Sequence, residues 1–427
     1  VKFLKFILFF PLMSALLFAS TEPTSKHILE SANAITTQVV PTSAQFSHMQ
    51  HILLSSGSST FEIQSAINTC SKQGGVVELQ EGNYLSGPLH LKSGVYLQLD
   101  ANAVLTSLPY TSYPNSTMPQ NFITAENAHT FGIIGTGCID GNGAAWWQAF
   151  KSAPHQATFK RPRLIYFQNC HDIYIANITL KNSPSFHIVP LQCKNVVVSN
   201  VTIATDTPSP NTDGIDPAST TSMVIENCHI SDGDDNIAIK AQKGPSKYIY
   251  IIHNHFGLGH GLSIGAQTNS GVSNIYALNN SFSGTTTGIR IKSPLGSVGS
   301  VKNLYYINTT MNGVGTAFEL SAYYPENTIP KAGTSLATAS GASLIARDIY
   351  ISHLTATQVS KNAMLIVGSP QNPFTRILLQ NVAISSAQGA IIRNATLTAT
   401  QVNIIPQSGP AYILQEGGKV KQTKNQG

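Results

Sequence analysis

Short β-favouring runs that open on asparagine recur along the middle of this chain at intervals of 23 to 28 residues: Asn177-Ile-Thr-Leu, Asn200-Val-Thr-Ile, Asn227-Cys-His-Ile, Asn254-His-Phe, Asn280-Ser-Phe and Asn308-Thr-Thr-Met. Val, Ile, Thr and Tyr alternate with polar residues around them, and Gly and Asn punctuate the turns. No long run of 3.6-residue helical periodicity crosses the region. A β-sandwich also turns regularly, but about every 8 to 12 residues. The longer period fits a coil of three short strands and their turns, repeated as rungs. Asparagine near a recurrent corner suits left-handed backbone geometry and lets side-chain amides ladder between rungs. With 427 residues, the chain reads as one large domain that grows by stacking. The predicted fold is all-β: a single-stranded parallel β-helix (solenoid) with a short capping helix at its N-terminal end.

At the N-terminus Lys2 and Lys5 precede an apolar run from Phe6 to Ala19. The run is short for a membrane span and contains Pro11, so residues 1–20 read as a secretory signal peptide, with an uncleaved anchor as the alternative. Residues 21–55, rich in Ser, Thr and Ala, are expected to form a leader. The β-helix itself is placed at 56–417. It opens with the capping box Ser59-Thr-Phe-Glu62, after which Ile63, Ala66, Ile67 and Cys70 mark one apolar helical face. Such a helix would close the end of the solenoid, which otherwise presents unpaired backbone groups. The lysine-rich tail 418–427 is expected to fray. Cysteines 70, 138, 170, 193 and 228 show neither CxxC pairs nor zinc spacing. They read as small buried hydrophobes, with one or two disulfides left open.

Only 11% of residues are charged, yet Asp213, Asp216, Asp232, Asp234 and Asp235 crowd one short window. Clustered carboxylates either bind a cation or share proton transfer, because like charges held together push their pKa values apart. Asp213, Asp234/Asp235, His260 and Arg290/Lys292 follow one another at about one coil turn each. Neighbouring strands lie about 4.7–4.9 Å apart, so residues one repeat apart stack into a polar strip. Arg290 and Lys292, two apart on a strand, share a face while Ile291 points to the core. Adjacent Asp234 and Asp235 would point to opposite faces of a regular strand, so a local break at Gly233 is expected.

These residues resemble a known family, the polygalacturonases of glycoside hydrolase family 28. The matching elements occur in order over roughly residues 55 to 410: Gly137-Cys-Ile-Asp-Gly-Asn-Gly with Trp146-Trp147, Asn182-Ser-Pro-Ser-Phe-His, Asn211-Thr-Asp-Gly-Ile-Asp, Gly233-Asp-Asp-Asn-Ile-Ala-Ile-Lys, Gly259-His-Gly-Leu-Ser-Ile-Gly and Arg290-Ile-Lys. The resemblance implies a right-handed parallel β-helix and inverting hydrolysis of α-1,4 links between galacturonic acid units. It makes Asp234 the general acid. Asp213 and Asp235 would hold and deprotonate the water, with acid and base separated by about 6.5–9.5 Å as in inverting enzymes. His260 completes the catalytic set, contacting substrate or tuning the acid. Arg290 and Lys292 would bind sugar carboxylates, and Asn211 would bind substrate or orient Asp213. Tyr323 or Tyr324 resembles the family's active-site tyrosine. Asn236 stands where many fungal relatives carry cysteine. The stretch Pro330 to Ser343 reads as a loop inserted at a rung.

A net charge of +5 suits an acidic polymer. Its basic residues are scattered and lack the aromatic platform of a nucleic-acid binder, so no nucleic-acid partner is expected. No metal, cofactor or stable membrane association is expected, and the protein should act as a secreted monomer. Endo cleavage of polygalacturonate or de-esterified pectin is the reading adopted. The alternatives are an exo-acting enzyme, a calcium-assisted pectate lyase-like β-helix, and a non-catalytic polysaccharide-binding β-helix.

Overall fold

A computed structural model describes residues 23–423 apart from 156–157, 207, 295, 326–327, 330 and 332–343. The expected signal peptide, and all of the expected loop at 330–343 except Lys331, lie outside the described residues. Short strands stack in parallel register to form the three faces of a β-helix. One inward column shows how the repeat builds a core. Ile173, Val196, Met223, Ile249, Ile275, Leu304, Ile349, Ile377 and Leu397 are successive partners across nine rungs. None of the nine is more than 1% exposed. Parallel sheets need both faces covered, and here the three inner faces cover one another.

The asparagine repeat resolves into two adjacent columns. Asn177, Asn200, Asn227, Asn279 and Asn308 sit at the corner between the first and second faces with φ between 53° and 61°, a left-handed conformation that asparagine tolerates well. Asn254 and Asn280 lie one residue further on and point inward. Asn254 Oδ1 accepts from the Cys228 N–H at 2.9 Å, and Asn280 Oδ1 accepts from the Asn254 N–H at 2.9 Å. Their amide nitrogens donate to the carbonyls of Ile225 and Ile251. The buried ladder thus satisfies corner backbone groups that water cannot reach.

The capping helix forms as expected. It spans Thr60–Cys70 with Ser59 and Glu62 in a reciprocal capping box, and Ile63, Ala66, Ile67 and Cys70 are its buried side chains. The described part of the expected leader, residues 23–55, is folded onto the body. Helix α1 (Ser25–Val39), capped by Thr24, is followed by α2 (Ser43–His48) and by the strand Gln50–Leu54, which pairs with Gly75–Leu79. Ile28, Ala32 and Val39 of α1 are buried against Val197, Val224, Tyr250, Ile252 and Leu278 on the outside of the first face. The apolar face thus outweighs the polar composition. Of the expected tail, Lys419–Thr423 forms a strand paired with Thr396–Thr400, and residues 424–427 lie outside the described residues. The five cysteines are free thiols. Among the described residues no helix is long and apolar enough to cross a membrane.

Candidate active site

The third face carries the site on its outer side. Ala238, Ser263, Arg290 and Glu319 are register partners on four consecutive rungs. Lys292 follows Arg290 by two and shares its side, while Ile291 is fully buried in the core. Strand pairing therefore places a hydroxyl, a guanidinium and an ammonium in fixed positions beneath a groove.

The acids are supplied by breaks in the coil. Between the strands His229–Ser231 and Ile237–Ile239 the chain leaves the sheet. Asp232, fully buried, accepts from the Asp234 N–H at 3.0 Å and from the Asn236 amide, tying down the turn. A side chain at Gly233 would stand 2.0 Å from the Ser209 carbonyl oxygen, so only glycine permits this approach. The break turns Asp234 towards solvent, its side chain 21% exposed, while Asp235 remains 2% exposed at the floor.

Asp235 is the most heavily tied carboxylate. Oδ1 accepts from Arg290 Nη2 at 2.5 Å and from the Ser263 hydroxyl at 2.9 Å, and Oδ2 accepts from Lys292 Nζ at 2.7 Å. Burial would raise its pKa, but Arg290 and Lys292 overcome that and hold it at about 2. Both cations, expected to face substrate, are thus committed to Asp235 in the free site, each only 6% exposed. Asp234 faces His260, whose Nδ1 lies 3.1 Å from Oδ1, and Oδ2 accepts from the Asn211 amide at 3.3 Å. Burial pulls Asp234 upward, yet the His260 hydrogen bond and the positive charges of His260 and Lys292 leave it below the ordinary carboxylate range.

Asp213 behaves in the opposite way. Its side chain is 6% exposed, Oδ2 lies 3.3 Å from Lys240 Nζ, and Oδ1 has no hydrogen bond among the described residues. Burial, followed by the charge of Asp216, pushes Asp213 well above the ordinary value, with Lys240 opposing. Beneath it His187, fully buried, donates from Nδ1 to the Thr212 and Asp213 carbonyls at 3.2 Å and accepts from the Thr205 hydroxyl at 2.8 Å. Burial lowers this imidazole to about 4, so it stays neutral and holds the Asp213 backbone.

Asp213, Asp234, Asp235, His260, Arg290 and Lys292 are therefore brought together. Asn211 contacts Asp234 rather than Asp213, and its Oδ1 accepts from Arg161 Nη2 at 2.8 Å. The two tyrosines separate. The Tyr324 ring lies 5.0 Å from Lys292 Nζ at the site, whereas Tyr323 is fully buried and excluded from substrate. Sequence reasoning gave no role to Lys240, His187, Arg161, Ser263 or Glu319, and placed Asp216 only within the acidic cluster. Lys240 and Asp216 were visible inside the matched motifs, but the ion pair between them needs coordinates. Arg161 reaches Asn211 from 50 residues away, which no local pattern reports.

The groove continues past the acids. One part of about 300 Å³ is lined by Arg163, Tyr166, Phe186, Asp216, Lys240 and Lys243, and another of about 390 Å³ by Lys160, Arg161, Phe159 and Phe186 among others. One oxygen each of Asp234 and Asp235 and a ring nitrogen of His260 lie within 4.8 Å of one another. A metal ion there would compete with the two fixed cations already on Asp235.

A parallel β-helix bearing a carboxylate cluster in an open, basic groove has the build of an enzyme that cleaves an extended acidic polysaccharide. Residues 70–403 match the profile of Glycosyl hydrolases family 28, and the chain belongs to that family of glycoside hydrolases. It is 34% identical over 368 residues to an endo-polygalacturonase of Pectobacterium carotovorum subsp. carotovorum, covering 80% of this chain and 88% of the relative. The solved polygalacturonase from Erwinia carotovora ssp. carotovora superposes with a TM-score of 0.68 at 31% identity, over 83% of this chain and 96% of the other. An exopolygalacturonase from Thermotoga maritima shares the fold, with a TM-score of 0.73 at 21% identity over 88% of this chain and 96% of that one.

Proposed function

We propose that this enzyme is a secreted, metal-independent hydrolase of polygalacturonate and de-esterified pectin, cutting α-1,4-galacturonosidic bonds within the chain with inversion. The observation that carries the reading is the division of labour among three carboxylates. Asp234 is open to the groove beside His260, Asp235 is fastened by Arg290 and Lys292, and Asp213 has a free oxygen. In the proposed step a water held by Asp213 and Asp235 attacks the anomeric carbon. Its proton passes to the carboxylate side, the glycosidic C–O bond breaks with its electron pair on oxygen, and Asp234 protonates that oxygen.

Two features need a physical account. Asp234 and Asp235 oxygens come within 4.8 Å, closer than the roughly 6.5–9.5 Å usual for inversion and near the roughly 5–5.5 Å of retaining pairs. Asp235 is nonetheless a poor nucleophile, because a glycosyl ester on either oxygen would displace an ion pair already made. An acid catalyst must also carry a proton, yet free Asp234 lies below the ordinary range. A bound galacturonate displaces water and sets its own carboxylate against Lys292 and the free donors of Arg290. Both changes raise Asp234.

Flanking carboxylates would be met by the basic groove residues Lys160, Arg161, Arg163 and Lys243, and internal cutting is supported by the similarity to an endo-polygalacturonase. Secretion rests on the apolar run Phe6–Ala19, and a monomer on a site built from one chain. The test is digestion of polygalacturonate and of methyl-esterified pectin in a chelator. Saturated oligomers of mixed length should form from the unesterified polymer, far more slowly from the ester, and not measurably with Asp234→Asn of unchanged circular dichroism. Near-normal turnover by Asp234→Asn would overturn the acid assignment. An ultraviolet-absorbing unsaturated product would overturn hydrolysis.

A further inference from the structure

Lys240, its side chain 19% exposed, lies beside the reaction centre, and the proposed step does not use it. Its ammonium lies 2.5 Å from Asp216 Oδ2 and 3.3 Å from Asp213 Oδ2, and it sits 4.2 Å from the centroid of the Phe186 ring. Gly265 makes room for the stem, since a Cβ there would come within 3.2 Å of Lys240 Cγ. Asp216, 1% exposed, gives one oxygen to this contact, and its other oxygen has no hydrogen-bond partner among the described residues. The pair is too enclosed to be a surface salt bridge, and removing one partner would strand a charge.

We propose that Lys240 and Asp216 form a buried positioning pair that sets the proton affinity of Asp213, so that Asp213 receives the proton of the attacking water while Asp235 serves as an electrostatic anchor. Asp235 is fitted to anchoring because three donors already occupy its oxygens. Asp213 is fitted to receive a proton because, among the described residues, only Lys240 bonds its side chain and one oxygen is left without a partner. The two members of the pair act on Asp213 in opposite senses, Asp216 raising its affinity for a proton and Lys240 lowering it. Lys240 itself stays charged: burial works against the ammonium, but Asp216 and Asp213 prevail.

Other charges face this trio. Asp234 and Asp235 act from the next break in the coil, with Arg290 and Lys292 behind Asp235. Asp232 lies beneath that break, Arg161 and Arg163 act from earlier rungs, and neutral His187 lies under the Asp213 backbone. A change at 216 or 240 leaves these side chains in place, although Asp235 interacts with both members of the pair and Arg163 with Asp216, so the Asp213→Asn control is what assigns the limb.

This inference rests on Asp213 acting as the base. The experiment is the pH profile of kcat/KM on polygalacturonate for wild type, Asp216→Asn, Lys240→Met and Lys240→Arg, with Asp213→Asn as control and circular dichroism on each. Asp216→Asn keeps an acceptor for Lys240 but removes the negative charge, so the limb belonging to Asp213 should move down by about one pH unit. Lys240→Met should move the same limb up by about one unit, cut kcat about tenfold or more at the wild-type optimum, and leave KM within about twofold. Lys240→Arg should return the limb towards wild type. If Lys240→Met fails to fold, the double variant K240M/D216N, which removes both charges, should fold and show a limb above that of Asp216→Asn. Limbs that stay put, or that move the same way in both single variants, would overturn the pair. A folded Asp213→Asn enzyme with near-normal activity would instead overturn the base assignment on which the pair depends.

Discussion

Neighbours decide what each acid at this site can do. Asp213, Asp234 and Asp235 share one residue type and adjoining rungs, yet one is pushed up, one sits moderately low and one is held at about 2. Their presence was legible in the sequence as a cluster of aspartates in a chain poor in charge. Which of them lies open and which is fastened was not, because that depends on the turn at Asp232–Asn236 and on cations arriving from rungs further on. The same holds for Tyr323 and Tyr324, whose opposite fates follow from the path of the chain after Ser321. His187 makes a residue-scale prediction about stability. Its folded pKa is depressed from the ordinary 6.5 to about 4, so it contributes stability above pH 6.5 that is lost as pH falls through 4. The loss should reach roughly 3 kcal/mol. In urea titrations across that range, His187→Gln should show a shallower decline than wild type; parallel declines would mean that the imidazole is not held neutral.

At the scale of elements, the repeat was readable because two demands of a β-helix corner fall on asparagine: a left-handed backbone at Asn177, Asn200, Asn227, Asn279 and Asn308, and an inward amide at Asn254 and Asn280. The capping helix was readable because its start signal and its apolar face coincide. Helix α1 carried a comparable signal, with Ile28, Ala32, Ile35 and Val39 spaced along one face, but its Ser- and Thr-rich composition concealed it. The strand Lys419–Thr423 had no apolar alternation to announce it, since its pairing comes from the open edge of the last rung. Because Ile28 is 1% exposed against the outer wall, Ile28→Ala should cost about 2–5 kcal/mol. It should lower the thermal midpoint while kcat stays at the wild-type value. An unchanged midpoint would show that α1 does not brace the solenoid.

Across the whole molecule, stacking supplies a long groove, and the charge pattern makes it basic. The three faces give each functional residue a position fixed by strand register, so residues far apart in sequence meet without a long loop to carry them. The fold class and the general chemistry followed from that repetition and from the ordered motifs. The sense of the displacement depends on distances between carboxylates, which no spacing in the sequence encodes. Here the facing oxygens of Asp234 and Asp235 lie within 4.8 Å, closer than the acid–base separation usual for inversion, which makes stereochemistry the most direct test. The measurement is proton NMR of the anomeric region during the first minutes of polygalacturonate hydrolysis, before the new reducing ends mutarotate. The account predicts that β-configured ends appear first from the α-linked polymer. Initial α-configured ends would contradict it and make one of the fastened carboxylates a nucleophile.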